Sequence, residues 1–176
     1  PLCESCNAEY RDPQNRRYHA QATACPKCGP SLELDLAKVA EYIHAGKIVA
    51  LKGVGGYVLL ADANNAATVR LLRERKGRAE KPFAVMALNT NSIQHHFAHV
   101  SPHEAGVLES PAAPIVILAR KRSTHIAAEV APKLNTLGMM LPNSPLYYIL
   151  FYHLLGAPAG AEWLQQHTAL ALIVTS

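Results

Sequence analysis

With 176 residues, 49% of them hydrophobic and 17% charged, and a formal net charge of +4, the chain has enough apolar mass for a packed core and is no disordered polymer. No run approaches the ~18 consecutive apolar residues of a membrane-spanning helix, and the polar, cysteine-rich N-terminus is unlike a secretory signal, so a cytoplasmic location is expected. The mild positive balance suits anionic ligands without demanding nucleic acid.

The chain opens on Pro1 and closes on the strand-like run "LALIVTS", and it reads as a piece of a longer protein. Its first segment, "LCESCNAEYRDPQNRRYHAQATACPKCGP", holds every cysteine as two C-x-x-C pairs, Cys3/Cys6 and Cys25/Cys28. Two disulfides would suit a secreted mini-domain. Zinc suits the spacing better, because two C-x-x-C turns bring four thiolates to one tetrahedral ion. A site filled by sulfur leaves no position for water, so such an ion is structural, and its binding replaces the core that the polar segment lacks. A second pair of knuckles elsewhere in a longer protein could also share ions with these four. His19, in the basic loop "NRRYH", reads as solvent-facing. A zinc module over residues 1–33 and an α/β domain over 34–176 are expected.

Asp35 is a plausible N-cap for a helix running to about Lys47, with Val39, Ala40 and Ile43 on one face. "IVAL" (48–51) and "VLLADA" (58–63) read as strands around the glycine-rich "KGVGGY" (52–57). A helix over 64–76 is capped by Asn64 or Asn65. "FAVMAL" (83–88) and "IVILAR" (115–120) are continuous apolar runs, typical of strands covered on both faces. Residues 92–109 form one or two helices broken at Ser101-Pro102. "TLGMML" (136–141) is a further strand, "PLYYILFYHLL" a buried helix and "LALIVTS" a last strand. Strands alternating with helices predict an α/β fold on a twisted, mixed sheet.

The segment "RLLRERKGRAEK" (70–81) concentrates Arg70, Arg73, Arg75, Lys76, Arg78 and Lys81 against Glu74 and Glu80. A charge run on a helix is usually a solvated face. Here Gly77 ends the helix and leaves Arg78 and Lys81 in a loop before a buried strand, where α/β sheets bind ligands and arginine forks hold phosphate oxygens. The glycines of 52–57 let a backbone approach an anion, although a plain glycine-rich hairpin fits equally well. His95, His96, His99 and His103 read as polar surface rather than a metal site. Ser144 lacks the setting of a nucleophile elbow.

Together these residues resemble the HypF family of hydrogenase-maturation carbamoyltransferases. "CESC…DPQNRRYHAQATACPKCGP" is similar to the second half of that family's zinc region. "LKGVGGYVLLADANN", "LRERKGRAEKPFAVM", "SPAAPIVIL" and "LGMMLPNSPLYYIL" are similar to successive motifs of its YrdC-like domain. The resemblance implies a concave basic cavity in which carbamoyl adenylate forms from Mg2+-bound ATP and carbamate derived from carbamoyl phosphate. It implies phosphate binding by a K-x-R element, Lys76 and Arg78, followed by Lys81 and Pro82. It further implies a nucleotide and substrate set of Lys52, Gly53, Gly55, Gly56, Arg75, Pro114, Thr175 and Ser176, the last being the serine of an S-x-N element whose asparagine lies beyond the chain. The implied partner is the C-terminal cysteine of HypE, on the way to the cyanide ligands of NiFe hydrogenase. Neither the acylphosphatase domain nor the transfer domain of the family is in this chain. The alternative function is a zinc-containing, double-stranded RNA-binding module. The basic segment has no interleaved aromatic to stack bases, which disfavours single strands but leaves duplex shape-reading open.

Overall fold

The computed structural model describes residues 1–53 and 55–176; Val54, inside the predicted glycine-rich loop, lies outside the described residues. The chain divides into two compact units, Pro1–Asp35 and Leu36–Ser176. In the first, α1 (Glu4–Arg11) starts directly after Cys3 and is followed by turns carrying Cys25 and Cys28. Cys6 is its one buried apolar side chain. Without a core of its own, a unit of this kind depends on cross-links or metal for a fixed shape.

The second unit is the expected α/β fold. Its strands β1 (Val49–Gly53), β2 (Gly56–Asp62), β3 (Ala84–Ala87), β4 (Val116–Ala119), β5 (Thr136–Met140) and β6 (Ala171–Thr175) form one sheet in the order β1-β2-β6-β3-β5-β4. Only β3 and β5 run parallel; the other neighbours are antiparallel. The period of two along a strand divides the core between two faces. Ala61, Val85, Ala87, Met139 and Ile173 point to one side, while Leu60, Met86, Met140 and Leu172 point to the other. Two helices, α2 (Leu36–His44) and α6 (Pro145–Leu154), cover the second side. The buried residues of α2, Leu36, Val39, Ala40 and Ile43, recur at the spacing of one helical face. On the first side lies α3 (Ala66–Arg75), which contributes Val69 and Leu72.

The stretch expected to be helical over 92–109 is a short turn, α4 (Thr90–Ser92), continued by a π-helical turn at Ile93–Phe97, and then α5 (Pro102–Leu108). Ser101 and Glu104 close a reciprocal capping box at the start of α5. The expected two-sided burial of "IVILAR" is corrected by the sheet order. β4 is an edge strand, and Ile115 and Ile117 are 55% and 72% exposed. Among the described residues no helix is long and apolar enough to cross a membrane.

Candidate functional site

In the first unit the four cysteines converge. Their sulfurs all lie within 4.8 Å of one another, with Cys3 Sγ to Cys25 Sγ at 3.6 Å and Cys25 Sγ to Cys28 Sγ at 3.9 Å. Four thiolates at the ~2.3 Å of a zinc–sulfur bond stand about 3.8 Å apart, so small side-chain adjustments bring the set onto one tetrahedral ion. None is in a disulfide. Burial, reinforced by the neighbouring sulfurs, pushes the Cys6 thiol up to about 12. Backbone hydrogen bonding at Cys3 and Cys25 draws Cys28 down to about 6. A divalent cation relieves this conflict by stabilising every thiolate at once. His19 is exposed and stacks on Tyr18 at 4.0 Å, apart from the sulfur set. Among the described residues the cysteines are the one group of three or more ligands close enough for a metal ion.

The second unit builds its site from the end of α3. Asn65 caps the helix by accepting from the Thr68 N–H at 3.1 Å. At the other end the Gly77 N–H donates to Glu74 O at 3.0 Å and the Arg78 N–H to Arg73 O at 2.9 Å. This is the pair of bonds of a Schellman stop. It requires the left-handed conformation that Gly77 adopts at φ +57°. The basic run therefore splits into separate jobs. Arg70 pairs with Glu129 at 2.5 Å. Arg73 is buried, and its guanidinium donates to Glu129 O, Ala79 O and Lys81 O at 3.0, 3.0 and 3.1 Å. Burial and the charge of Arg78 hold Arg73 below the usual arginine range. Arg75 is left exposed.

Beyond the stop, the loop turns toward the end of β6. Lys76 Nζ donates to Ser176 O at 2.5 Å, and Arg78 Nη1 donates to Thr175 Oγ1 at 3.1 Å. The Arg78 guanidinium rests 4.8 Å over the Phe83 ring, fixed by stacking as well as by its hydrogen bond. Arg78 and Lys81 line a cavity of about 570 Å³, with Thr175 and Ser176 on its rim and Ile115, Ile117 and Leu134 on its apolar wall. A second hollow of about 430 Å³ is lined by Gly53, Gly55 and Gly56. The two share Val58, Met140, Val174 and Ser176 as lining residues, so they adjoin. Glycines 53 and 56 form the last pair of the β1–β2 hairpin, as the hairpin reading of "KGVGGY" expects.

Arg78, Lys81, Thr175, Ser176 and the three glycines thus line adjoining hollows, and Lys76, in neither lining, reaches their edge through its bond to Ser176 O. Lys52, whose Nζ lies 5.9 Å over the Tyr57 ring, and Arg75 are exposed and outside both linings, and the half-buried Pro114 is also outside them. A further hollow of about 680 Å³ against α6, with Tyr148, Tyr152 and Trp163, has no cation in its lining and is ill suited to phosphates. Sequence reasoning passed over the clamp role of Arg73 and the wall formed by Asn143, Ser144 and Tyr147 in the glycine hollow. A buried arginine inside a charge run has no distinguishing signal, and a tyrosine in an apolar helix reads as core. The histidines at 95, 99 and 103 are exposed, as expected of polar surface. His96 is half-buried and lies 3.0 Å from His167, whose ring stacks on His95 at 4.2 Å.

Comparison with known proteins bears on this arrangement. Residues 41–176 match the model of the Sua5/YciO/YrdC family, described as "Telomere recombination", and residues 2–34 match the "HypF finger". The carbamoyltransferase HypF of Rhodobacter capsulatus is 43% identical across 85% of this chain and 21% of its own length. HypF2 of Cupriavidus necator is 45% identical across 99% of this chain and 29% of its own. A crystal structure of full-length HypF in a phosphate- and nucleotide-bound form superposes with a TM-score of 0.76 at 37% identity, covering all of this chain and 22% of that one. The chain therefore spans less than a third of the length of these relatives.

Proposed function

The chain belongs to the Sua5/YciO/YrdC family and to its HypF branch, and from that premise we propose that its second unit forms carbamoyl adenylate from ATP and carbamate, the latter derived from carbamoyl phosphate. One observation carries the reading: the K-x-R side chains are tied to the end of β6 beside a cavity that adjoins the glycine hollow. A carbamate oxygen attacks the α-phosphorus, and pyrophosphate leaves with the electron pair of the broken P–O bond. Charge gathers on the phosphates, so the protein's work is to orient and neutralise. Arg78, prepositioned by Phe83 and Thr175, takes two phosphate oxygens; Lys76 and Lys81 neutralise the departing pyrophosphate. Lys52 and Arg75, exposed nearby in sequence, draw a polyanion in at longer range. Pro114 leads into the cavity wall at Ile115. Magnesium accompanying ATP adds positive charge at the phosphates. No side-chain nucleophile takes part.

A structural zinc on Cys3, Cys6, Cys25 and Cys28 holds the first unit. In the longer protein the carbamoyl group then passes to the C-terminal cysteine of a HypE-type acceptor in NiFe hydrogenase maturation. The nucleotide held by the crystallised HypF relative supports this reading. The test is Arg78→Ala. Loss of a bidentate charged contact weakens ATP binding by about 10- to 100-fold in calorimetry, with zinc content and melting temperature unchanged. Wild-type ATP affinity in this variant contradicts the proposal.

A further inference from the structure

We infer that the hollow against α6 is a binding site for a small organic cation, an ammonium or guanidinium carried on an apolar body, held by the rings of Tyr148, Tyr152 and Trp163 and the carboxylate of Glu109. The hollow shares no lining residue with the nucleotide cavity or the glycine hollow. It lies where the sheet opens. The parallel strands β3 and β5 end at Ala87 and Met140, and the residue that follows each, Leu88 and Leu141, lines it. Open α/β sheets bind ligands beyond the carboxyl ends of such strands. The volume of about 680 Å³ falls within the ~300–1,000 Å³ of small-molecule sites.

The aromatic walls stand ready before any ligand arrives. Tyr148 and Tyr152 are four residues apart on α6 and so share one face of the helix. Trp163, 9% exposed, adds a third ring. Its centre lies 5.7 Å from that of Tyr152 at 52°, so the two make a corner instead of a flat stack. The segment that carries Trp163 is strapped down. Asn89 Nδ2 donates to Leu164 O and Gln166 O, both at 2.8 Å, and the Thr168 N–H donates to Ser92 Oγ at 3.0 Å. A wall fixed in this way loses little freedom when a ligand docks.

Charge selects the ligand. Glu109 is the one charged side chain in the lining. It is exposed, and among the described residues its carboxylate has neither an ion pair nor a hydrogen bond. It also occupies the C-cap of α5, beside carbonyls that already make that end negative. An acid there is a local cost that no group of the chain offsets. The faces of tyrosine and tryptophan rings are negative as well, and they attract cations. An anion would be repelled by every wall, and a neutral apolar ligand would leave Glu109 idle. A cation on an apolar stem satisfies the acid and covers the rings.

Trp163 is the chain's one tryptophan, so its fluorescence reports on the hollow directly. The full chain is titrated with phenethylammonium chloride and, in parallel, with phenethyl alcohol, which has the same skeleton and no charge. Binding is followed by Trp163 emission and by broadening of the probe's ring-proton signals. The ammonium binds saturably, and the alcohol binds about tenfold more weakly or worse. Glu109→Gln lowers affinity for the ammonium about three- to fivefold, and Tyr148→Leu lowers it about two- to fivefold, both with unchanged melting temperature. Glu74→Gln, at an exposed acid outside the lining, leaves it as in wild type. Saturation in neither signal, an alcohol that binds as well as the ammonium, or a Glu109→Gln affinity equal to that of Glu74→Gln overturns the inference.

Discussion

Arg73→Met is the sharpest probe of how the basic loop is built. The substitution keeps an apolar stem of similar length beside Phe83 and removes a guanidinium that donates to Glu129 O, Ala79 O and Lys81 O. An acceptor left unsatisfied inside a protein costs about 1–3 kcal/mol. Ala79 and Lys81 are exposed residues whose carbonyls can turn to water, while Glu129 is half-buried, and removing a buried cation beside Arg78 returns part of the loss. The net destabilisation is therefore about 1–2 kcal/mol, or roughly 3–8 °C in melting temperature for a unit of this size. Thermal unfolding by circular dichroism reads it directly. ATP affinity should fall together with stability, because the same bonds shape residues 77–82, which carry Arg78. Arg73→Lys keeps the charge but cannot reach three divergent carbonyls, and should recover less than half of the loss. A melting temperature for Arg73→Met within about 2 °C of wild type, or a lysine variant as stable as the arginine, refutes the clamp.

Two further outcomes are expected. Cys25→Ser loses bound zinc, measured by elemental analysis, and loses order over residues 1–35 while the second unit melts as before; a retained full equivalent of zinc would rule out the four-sulfur site. Burial, with the charges of His167, His95, His125 and Lys121, lowers the proton affinity of His96. The unfolded chain then binds that proton more readily than the folded one, so stability rises with pH through the histidine range and falls on acidification. A His96→Gln variant should flatten that slope in urea titrations at several pH values, and an unchanged slope would place the titration elsewhere.

The elements were legible where local chemistry decides them. The apolar spacing of Leu36, Val39, Ala40 and Ile43 marked α2, and Asn65 and Gly77 bounded α3 by a cap and a left-handed stop. Runs such as "FAVMAL" announced buried strands, but "IVILAR" has the same texture and lies on an edge. Continuous hydrophobicity reports apolar surroundings and does not say whether they are core or the wall of a cavity, and Ile115 and Ile117 form such a wall. Arg78 and Lys81 could be singled out because a helix stop followed by a strand leaves few places for a loop to point, whereas the pairing of Lys76 with Arg78 came from the family resemblance alone. The place of Tyr147 in the glycine hollow could not, since the helix that carries it is apolar almost throughout. The pairing of His96 with His167 spans 71 positions, a separation that no local pattern records.

The position of β6 has a consequence for how the molecule comes into being. β6, which follows the other five strands described above in the chain, lies in the interior of the sheet, bonded to β2 on one side and β3 on the other. During synthesis the β1–β2 hairpin and the β3-β5-β4 group can each take shape, yet neither can join the other until residues 171–175 leave the ribosome and slide between them. Such late closure makes assembly slow and leaves two sticky strand margins unprotected in the meantime. It also makes the wedge a quality gate: the segment that joins the two halves of the sheet brings Thr175 and Ser176 to Arg78 and Lys76, so the cavity beside Arg78 takes shape only once β6 has docked.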